Sequence, residues 1–213
     1  MKKKITLIVF ALLAICTLSS TAQESSWSTG VDLYSSYVWR GAKFGSGPAM
    51  QPTVKYAKGG FSIGAWGSYC FSTNEATEAD LFASYGFSLG ESSSLTFTVT
   101  DYYFPTAAYF DGDSHYFEPM IGLGLGKVSL TAAYMTNAED TYLEAGYTAG
   151  AVTLFAGAGN GQYTKDASFN LCNVGIKSSK TIKVTDSFSI PVNGSVILNP
   201  STEQFHIVVG ISL

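Results

Sequence analysis

Apolar residues occupy every second place in the last nine positions of the chain. Few folds have this pattern at a chain end. These residues are Phe205, Ile207, Val209, Ile211 and Leu213, and Leu213 is the last residue of the sequence. A period of two places them on one face of a β-strand. The closing strand of a membrane barrel ends in this way because that face meets lipid. The pattern favours a barrel, and the terminal strand of a β-sandwich is the alternative.

The first 22 residues have the layout of a secretory signal peptide. Lys2, Lys3 and Lys4 precede an apolar run over 5–18, and small residues at 20–22 predict cleavage near Ala22. We therefore expect residues 1–22 to be removed and residues 23–213 to form one exported domain. No later apolar run is long enough for a helical span, so any membrane insertion must use strands.

Composition narrows the possible partners. Removing the three leader lysines leaves nine basic and sixteen acidic residues, a net charge of −7. Nucleic acid is therefore not an expected partner. The chain has 22 Gly, 13 Tyr and 14 Phe, which suit a wall with one lipid face and one lumen face.

Period-two alternation divides the mature chain into twelve strands of about membrane-spanning length. They cover 28–40, 49–57, 61–71, 78–89, 94–104, 115–125, 128–137, 141–149, 152–160, 169–178, 187–198 and 204–213. No segment has a competing helical period. The sequence thus predicts an all-β, antiparallel, up-and-down transmembrane β-barrel of about twelve strands.

The links between these strands alternate in length. Odd-to-even links are longer, at 41–48, 72–77, 105–114, 137–140, 161–168 and 199–203. Even-to-odd links are mostly tight, at 58–60, 90–93, 126–127 and 150–151, with 179–186 as the exception. Bacterial outer-membrane barrels have short periplasmic turns and long outer loops. We therefore expect the bacterial outer membrane, with the odd-to-even links outside.

One run early in the mature chain resembles a known family. Residues 36–41 (SYVWRG), followed by Pro48 and Ala49, are similar to the signature of the Gcw_chp family, as are 64–68, 78–81, 116–118 and 142–147. The segments 188–192 and 199–203 resemble members from Bacteroidetes-like bacteria. The resemblance implies an exported bacterial protein of unassigned function that forms an outer-membrane barrel. It implies no catalytic residues.

Strand parity predicts which side chains enter the lumen. On the first strand, Val31, Leu33, Tyr37 and Trp39 are expected on the lipid face, and Asp32, Tyr34, Ser36 and Arg40 inside. Arg40, Asp80, Glu118 and Glu144 should lie toward the outer mouth, and Asp32, Lys55 and Lys177 nearer the periplasm. Inward parity avoids a cost of about 2–4 kcal/mol for a charge at mid-membrane. Asp101 has lipid-face parity, but it lies near a strand end.

The inward charges admit two interpretations. They can form a structural salt-bridge cluster that fills a narrow barrel, or a charged constriction that selects solutes. We expect a narrow passive pore or solute-binding channel for small polar solutes. The alternative is a non-conducting barrel with a structural or surface-interaction role in adhesion or envelope integrity. A soluble periplasmic β-protein is a third possibility.

Catalytic and metal chemistry lack a sequence signal. His115 and His206 have no metal-ligand spacing, and no nucleophile elbow is present. We expect no enzyme activity, cofactor or metal. Parity puts Cys70 inside and Cys172 outside, so both thiols should be free. The expected partners are outer-membrane lipid, lipopolysaccharide and, through the C-terminal strand, the barrel-assembly machinery. The protein is expected to be a monomer.

Overall fold

The computed structural model of the protein describes residues 25–105 and 108–213, and the predicted signal peptide lies outside them. These residues form fourteen strands and one 3₁₀ turn, Gly112–Ser114. The strands are β1 (Ser26–Tyr34), β2 (Tyr37–Trp39), β3 (Ala42–Phe44), β4 (Ala49–Lys58), β5 (Phe61–Cys70), β6 (Glu75–Ser88), β7 (Ser93–Tyr103), β8 (His115–Leu125), β9 (Val128–Met135), β10 (Asp140–Ala149), β11 (Val152–Gly161), β12 (Ala167–Lys183), β13 (Ser189–Asn199) and β14 (Gln204–Ser212).

Twelve of these strands form one closed antiparallel barrel. Strands β4 to β14 follow each other around the wall, and β1 closes the ring between β14 and β4. Each strand of the run pairs with its sequence neighbours, which is the up-and-down arrangement. The prediction of an all-β antiparallel barrel of about twelve strands is confirmed.

The wall has an apolar outside and a mostly polar inside, as strict period-two alternation requires. Leu143 on β10 pairs with Ala158 on β11, which pairs with Leu171 on β12, and the two leucines are exposed. Further exposed apolar side chains on this outer face are Leu81, Val99, Ile121, Leu130, Leu154, Val196, Ile207 and Val209. None of the described residues forms a helix that is long and apolar enough to cross a bilayer.

The two ends of the barrel differ in their connections. At the short-turn end, β8–β9 and β10–β11 are joined by two residues each, led by Gly126 and Gly150 at φ +60° and +62°. Glycine reaches this left-handed conformation without steric cost. The predicted long link at 179–186 is wrong, because β12 continues through Lys183 and pairs there with Ser189 on β13. The opposite, long-loop end carries the two longest connections, 35–48 and 104–114, while the 89–92 turn at the short-turn end is as long as 71–74 and 136–139 at the long-loop end.

The first strand is shorter than the sequence predicts. β1 leaves the wall after Tyr34, and its register with β14 consists of Asp32–Ser212, Leu33–Ile211 and Tyr34–Gly210. The following segment turns into the lumen, where β2 pairs with β3. We call residues 37–44 the inner hairpin. The expectation that Tyr37 and Trp39 face lipid is therefore wrong.

Local backbone chemistry explains this departure. The turn of the inner hairpin consists of Arg40 and Gly41, both with positive φ (50° and 80°). Two successive positive φ values are those of the type I′ turn, which closes the tightest β-hairpins. An alternating run can therefore belong either to one long strand or to a strand and a hairpin arm. Here Trp39 belongs to the hairpin arm and packs against an interior cluster.

The lumen holds two apolar clusters. The first comprises Ala133, Tyr142, Tyr163 and Cys172, with Trp39 and Met120 packed against it. The second comprises Phe155, Ile197 and Val208, with Tyr34 and Val38 against it. Because the inner hairpin supplies Trp39 to one and Val38 to the other, it is an integral part of the interior packing.

Candidate functional site in the barrel lumen

A buried ion pair fixes the tip of the inner hairpin to the wall. Arg40 donates from Nη1 to Glu118 Oε2 (2.5 Å) and from Nη2 to Glu118 Oε1 (2.8 Å). The two side chains are 8% and 1% exposed. Both N–H···O bonds run in parallel, the geometry in which arginine binds a carboxylate most strongly and with a fixed orientation.

Aromatic side chains surround this pair. The Arg40 guanidinium carbon lies 4.4 Å from the ring centroids of both Trp39 and Tyr142, and 5.5 Å from that of Tyr163. Arg40 Nη1 also donates to the Tyr163 hydroxyl (2.8 Å), and Glu118 accepts from the Tyr102 hydroxyl (3.0 Å). Burial alone lowers the pKa of a guanidinium, but the bonds and charge of Glu118 outweigh it, so the Arg40 pKa is raised.

The turn approaches the wall so closely that only glycine fits. A Cβ at Gly41 would lie 2.0 Å from the carbonyl oxygen of Cys172. The Gly41 carbonyl accepts from Asn199 Nδ2 (3.4 Å), which also donates to the Tyr163 carbonyl (3.0 Å). The hairpin tip is thus held against β12 and β13 by contacts of the Gly41 backbone, and against β8 by Arg40.

Both cysteines are free and buried, and they lie beneath the segment that contains the inner hairpin. Cys70 is inside, where parity places it. The expectation that Cys172 faces outward is wrong. The register shift between β11 and β12 lies at this point, because Gly157 pairs with Asn173 and the next residue, Ala158, with Leu171. Cys172 is the extra residue of this bulge, which turns it into the interior cluster.

Two carboxylates form a separate acidic group near Tyr37. Glu78 and Asp80 are inward-facing neighbours on β6 and are 3% and 7% exposed. No ion pair joins either of them to a cation within 25–105 and 108–213, and Asp80 Oδ1 has no hydrogen-bond partner. Burial, followed by the charge of Glu78, raises the pKa of the Tyr37 hydroxyl.

A cavity of about 290 Å³ lies next to the inner hairpin on the side of the second apolar cluster. Its lining residues are Tyr34, Ser36, Tyr37, Val38, Arg40, Gln51, Glu144, Phe155, Asn173, Lys177, Ser195, Ile197 and Val208. A further cavity of about 350 Å³ shares Lys177 and Ser195 with it and reaches Ala151 in the β10–β11 turn. The lumen is therefore hollow from the short-turn end to the hairpin.

The predicted lumen residues are divided between these regions. Arg40 and Glu118 meet, while Asp80 joins the acidic group and Glu144 lines the cavity with Lys177. Lys55 lines another cavity, of about 510 Å³, with Thr53 and Ser84. Asp32 lies on β1 opposite Gln51. Asp101, on the outer face, forms a hydrogen bond with His115 Nδ1 (2.9 Å).

Sequence reasoning missed the tyrosines that complete the site. Tyr102 and Tyr142 have the same parity as Thr100 and Glu144, so the inward pattern could have identified them. Tyr163 follows β11 in a loop, is fully buried, and carries no parity signal. No group of three or more His, Cys, Asp or Glu side chains in the described part of the chain could hold a metal ion.

Comparison with known proteins identifies a family but no activity. The model of a family described as bacterial protein of unknown function (Gcw_chp) matches residues 19–192. This span contains the inner hairpin, Glu118 and every strand from β1 to β12. No curated protein matches the sequence.

Proposed function

The chain belongs to the Gcw_chp family of bacterial proteins of unknown function, and we propose that it is an outer-membrane barrel that provides a narrow channel for small polar solutes. In this proposal the inner hairpin closes the channel at rest. The observation that carries it is the pair of adjoining cavities that extend from the short-turn end to the hairpin and end there.

The outer surface supports a membrane location. Exposed leucine, isoleucine and valine side chains cover the wall, and water-soluble monomers rarely expose so large an apolar area. The last strand contributes Phe205, Ile207 and Val209 to this surface. We propose that outer-membrane lipid and lipopolysaccharide contact this wall, and that the barrel-assembly machinery recognises β14. The signal-like residues 1–22 agree with export.

Closure by the inner hairpin follows from its contacts. Undocking the inner hairpin separates Arg40 from Glu118. Breaking a buried ion pair in this way typically costs about 3–5 kcal/mol, because it leaves a buried charge without its partner. The hairpin is tethered on both sides by wall strands, so it can move without leaving the barrel. A solute that binds in the lumen and displaces the hairpin would offset part of this cost.

Conductance in planar bilayers tests the channel. In the undocked variant, Tyr37, Trp39 and Arg40 are all replaced by serine, which keeps the segment length and removes its interior contacts. We expect the wild type to conduct weakly and the undocked variant to conduct several-fold more. Lys43→Ser, which changes an exposed side chain on the same hairpin, is the matched control. An undocked variant that assembles and carries no current would contradict the channel.

A non-conducting barrel with a surface-interaction role is the second candidate. The longest loop, between β7 and β8, exposes Phe110 almost completely (96%) beside the half-exposed Tyr109. An exposed aromatic pair on an outer loop suits contact with another surface. Absence of current in the undocked variant, with loss of cell or surface binding in Phe110→Ser, would favour this role.

A further inference from the structure

The cavity beside the inner hairpin presents one free charge of each sign. Glu144 and Lys177 both line it. Neither takes part in an ion pair within the described residues, where Arg40 is engaged by Glu118. Glu144 is half-buried and Lys177 is exposed, and a cavity that presents two opposite charges fits a ligand that carries both.

The negative side of the cavity is built across a glycine. Glu144 and Asn173 both pair with Gly157, whose missing side chain leaves the space between them open to Tyr142. Asn173 Nδ2 donates to Glu144 Oε2 (3.0 Å) and to the Tyr142 hydroxyl (2.8 Å). Its Oδ1 has no partner although the residue is 6% exposed. Glu144 Oε2 also accepts from the Tyr142 hydroxyl (2.5 Å), so Glu144 Oε1 and Asn173 Oδ1 remain as the acceptors for an ammonium group.

The positive side lies farther along the same strand. Lys177 is four residues beyond Asn173 on β12, and its Nζ is 5.5 Å from the ring centroid of Phe155. Phe155 pairs with Gly175, halfway between Asn173 and Lys177 on the strand, so the Lys177 side chain reaches back toward Asn173. Gln51 Nε2 and Ser36 Oγ are further unpaired groups among the lining residues.

The volume of this cavity fits a single small molecule. A volume of about 290 Å³ equals about ten water molecules at about 30 Å³ each. Phe155, Ile197 and Val208 form an apolar side of the same cavity.

We propose that this cavity binds a small zwitterion with an apolar side chain, of the α-amino acid class, as the solute of the channel proposed above. The ammonium group binds Glu144 and Asn173 Oδ1, the carboxylate binds Lys177, and the side chain packs on the apolar residues. A neutral sugar would leave both charges uncompensated, and a simple anion would meet Glu144.

Calorimetric titration of the purified full-length mature barrel in detergent tests the assignment. The probes are L-leucine, leucinamide, which lacks the carboxylate, 4-methylpentanoate, which lacks the amine, and glucose. We expect leucine to bind at least about tenfold more tightly than any of the others, as loss of a charged hydrogen-bond partner requires. Equal affinity for leucine and leucinamide, or no leucine binding, would overturn the proposal.

Two variants assign the ends of the ligand. Lys177→Gln should bind leucine and leucinamide equally, and Glu144→Gln should bind leucine and 4-methylpentanoate equally. Lys180→Gln, an exposed lysine on the same strand, should leave all affinities unchanged. Should Glu144→Gln fail to assemble, the Lys177→Gln comparison decides alone. Conductance by the undocked variant without leucine binding would reject this ligand and keep the channel, whereas leucine binding without any conductance would reject the channel alone.

Discussion

Arg40 and Glu118 are 78 positions apart in the sequence and form a two-bond ion pair inside the barrel. One lies on the turn of the inner hairpin and the other on wall strand β8. Their pairing converts a loop that could extend into solvent into part of the lumen. Arg40 is the single arginine of the chain, so no neighbouring side chain can replace its planar, two-bond geometry.

Replacing Arg40 should destabilise the barrel and open its lumen. Arg40→Ala leaves Glu118 buried without a cation, and we expect a loss of about 3–5 kcal/mol in the free energy of unfolding. Conductance and cation preference should both rise in bilayers. The double variant Arg40→Ala/Glu118→Gln should recover part of the stability. Melting and conductance equal to wild type would show that the pair does not hold the hairpin.

Alanine substitutions at two glycines with similar backbone conformations should distinguish the cost of backbone strain from the cost of a steric clash. Gly41 and Gly59 both have positive φ, but a Cβ at Gly59 would meet nothing within 4 Å. Gly59→Ala should therefore cost only the backbone strain, about 1 kcal/mol. Gly41→Ala adds a clash with the Cys172 carbonyl and should be clearly more destabilising. Denaturant unfolding of both variants measures the difference, and equal losses would argue against the close approach.

The outer face of β14 should control assembly. Leu213→Asp or Ile211→Asp places a carboxylate on the apolar surface, where a charge against lipid is unfavourable. Both should reduce the folded, heat-modifiable form seen on gels. His206→Ala and Ser212→Ala change inward-facing side chains and should assemble. Equal assembly of all four variants would mean that β14 does not face lipid.

Loop length predicts which end is outside the cell. Epitope tags inserted at Asp111 or Lys165, in long-loop connections, should be detected on intact cells. Tags at Gly59 or Gly126, in short turns, should be detected only after the outer membrane is permeabilised. The reverse result would invert the orientation.

The thiols report whether the inner hairpin is docked. Cys70 and Cys172 are buried beneath the hairpin segment, so a maleimide reagent should label neither in the folded wild type. Unfolding should allow two additions, and the undocked variant should label without denaturant. A protein mass lower by two hydrogens would indicate a Cys70–Cys172 disulfide, which would contradict the two free thiols of this interior.

Most of the wall follows from alternation alone, because burying one face of a strand requires it. The twelve-strand count was predictable for that reason. The inner hairpin was not, because Tyr37 and Trp39 resume the parity of Val31 and Leu33 after a single interruption at Ser35. Aromatic side chains suit lipid and lumen equally, so only the tertiary partners of Arg40 decide between them.

The candidate site was predictable in part. Parity identified Glu118, Glu144 and Lys177 as inward residues. It failed at Cys172, because a bulge adds one residue and reverses the parity on one side of it. It could not place Tyr163, since a loop has no periodicity. Bulges and loops depend on contacts between distant segments, which local patterns do not record.

The early exit of β1 from the wall determines where the ring is weakest. Three paired positions join β1 to β14, extended by backbone bonds between Val31 and Leu213 and from Ser35 to Val209, whereas β13 and β14 share eight paired positions. Opening a cylinder requires breaking one line of backbone bonds, and this line has the fewest. We expect amide hydrogens of β1 and β14 to exchange before those elsewhere in the wall. Membrane lipid would then have a side entrance to the lumen at the edge next to the inner hairpin.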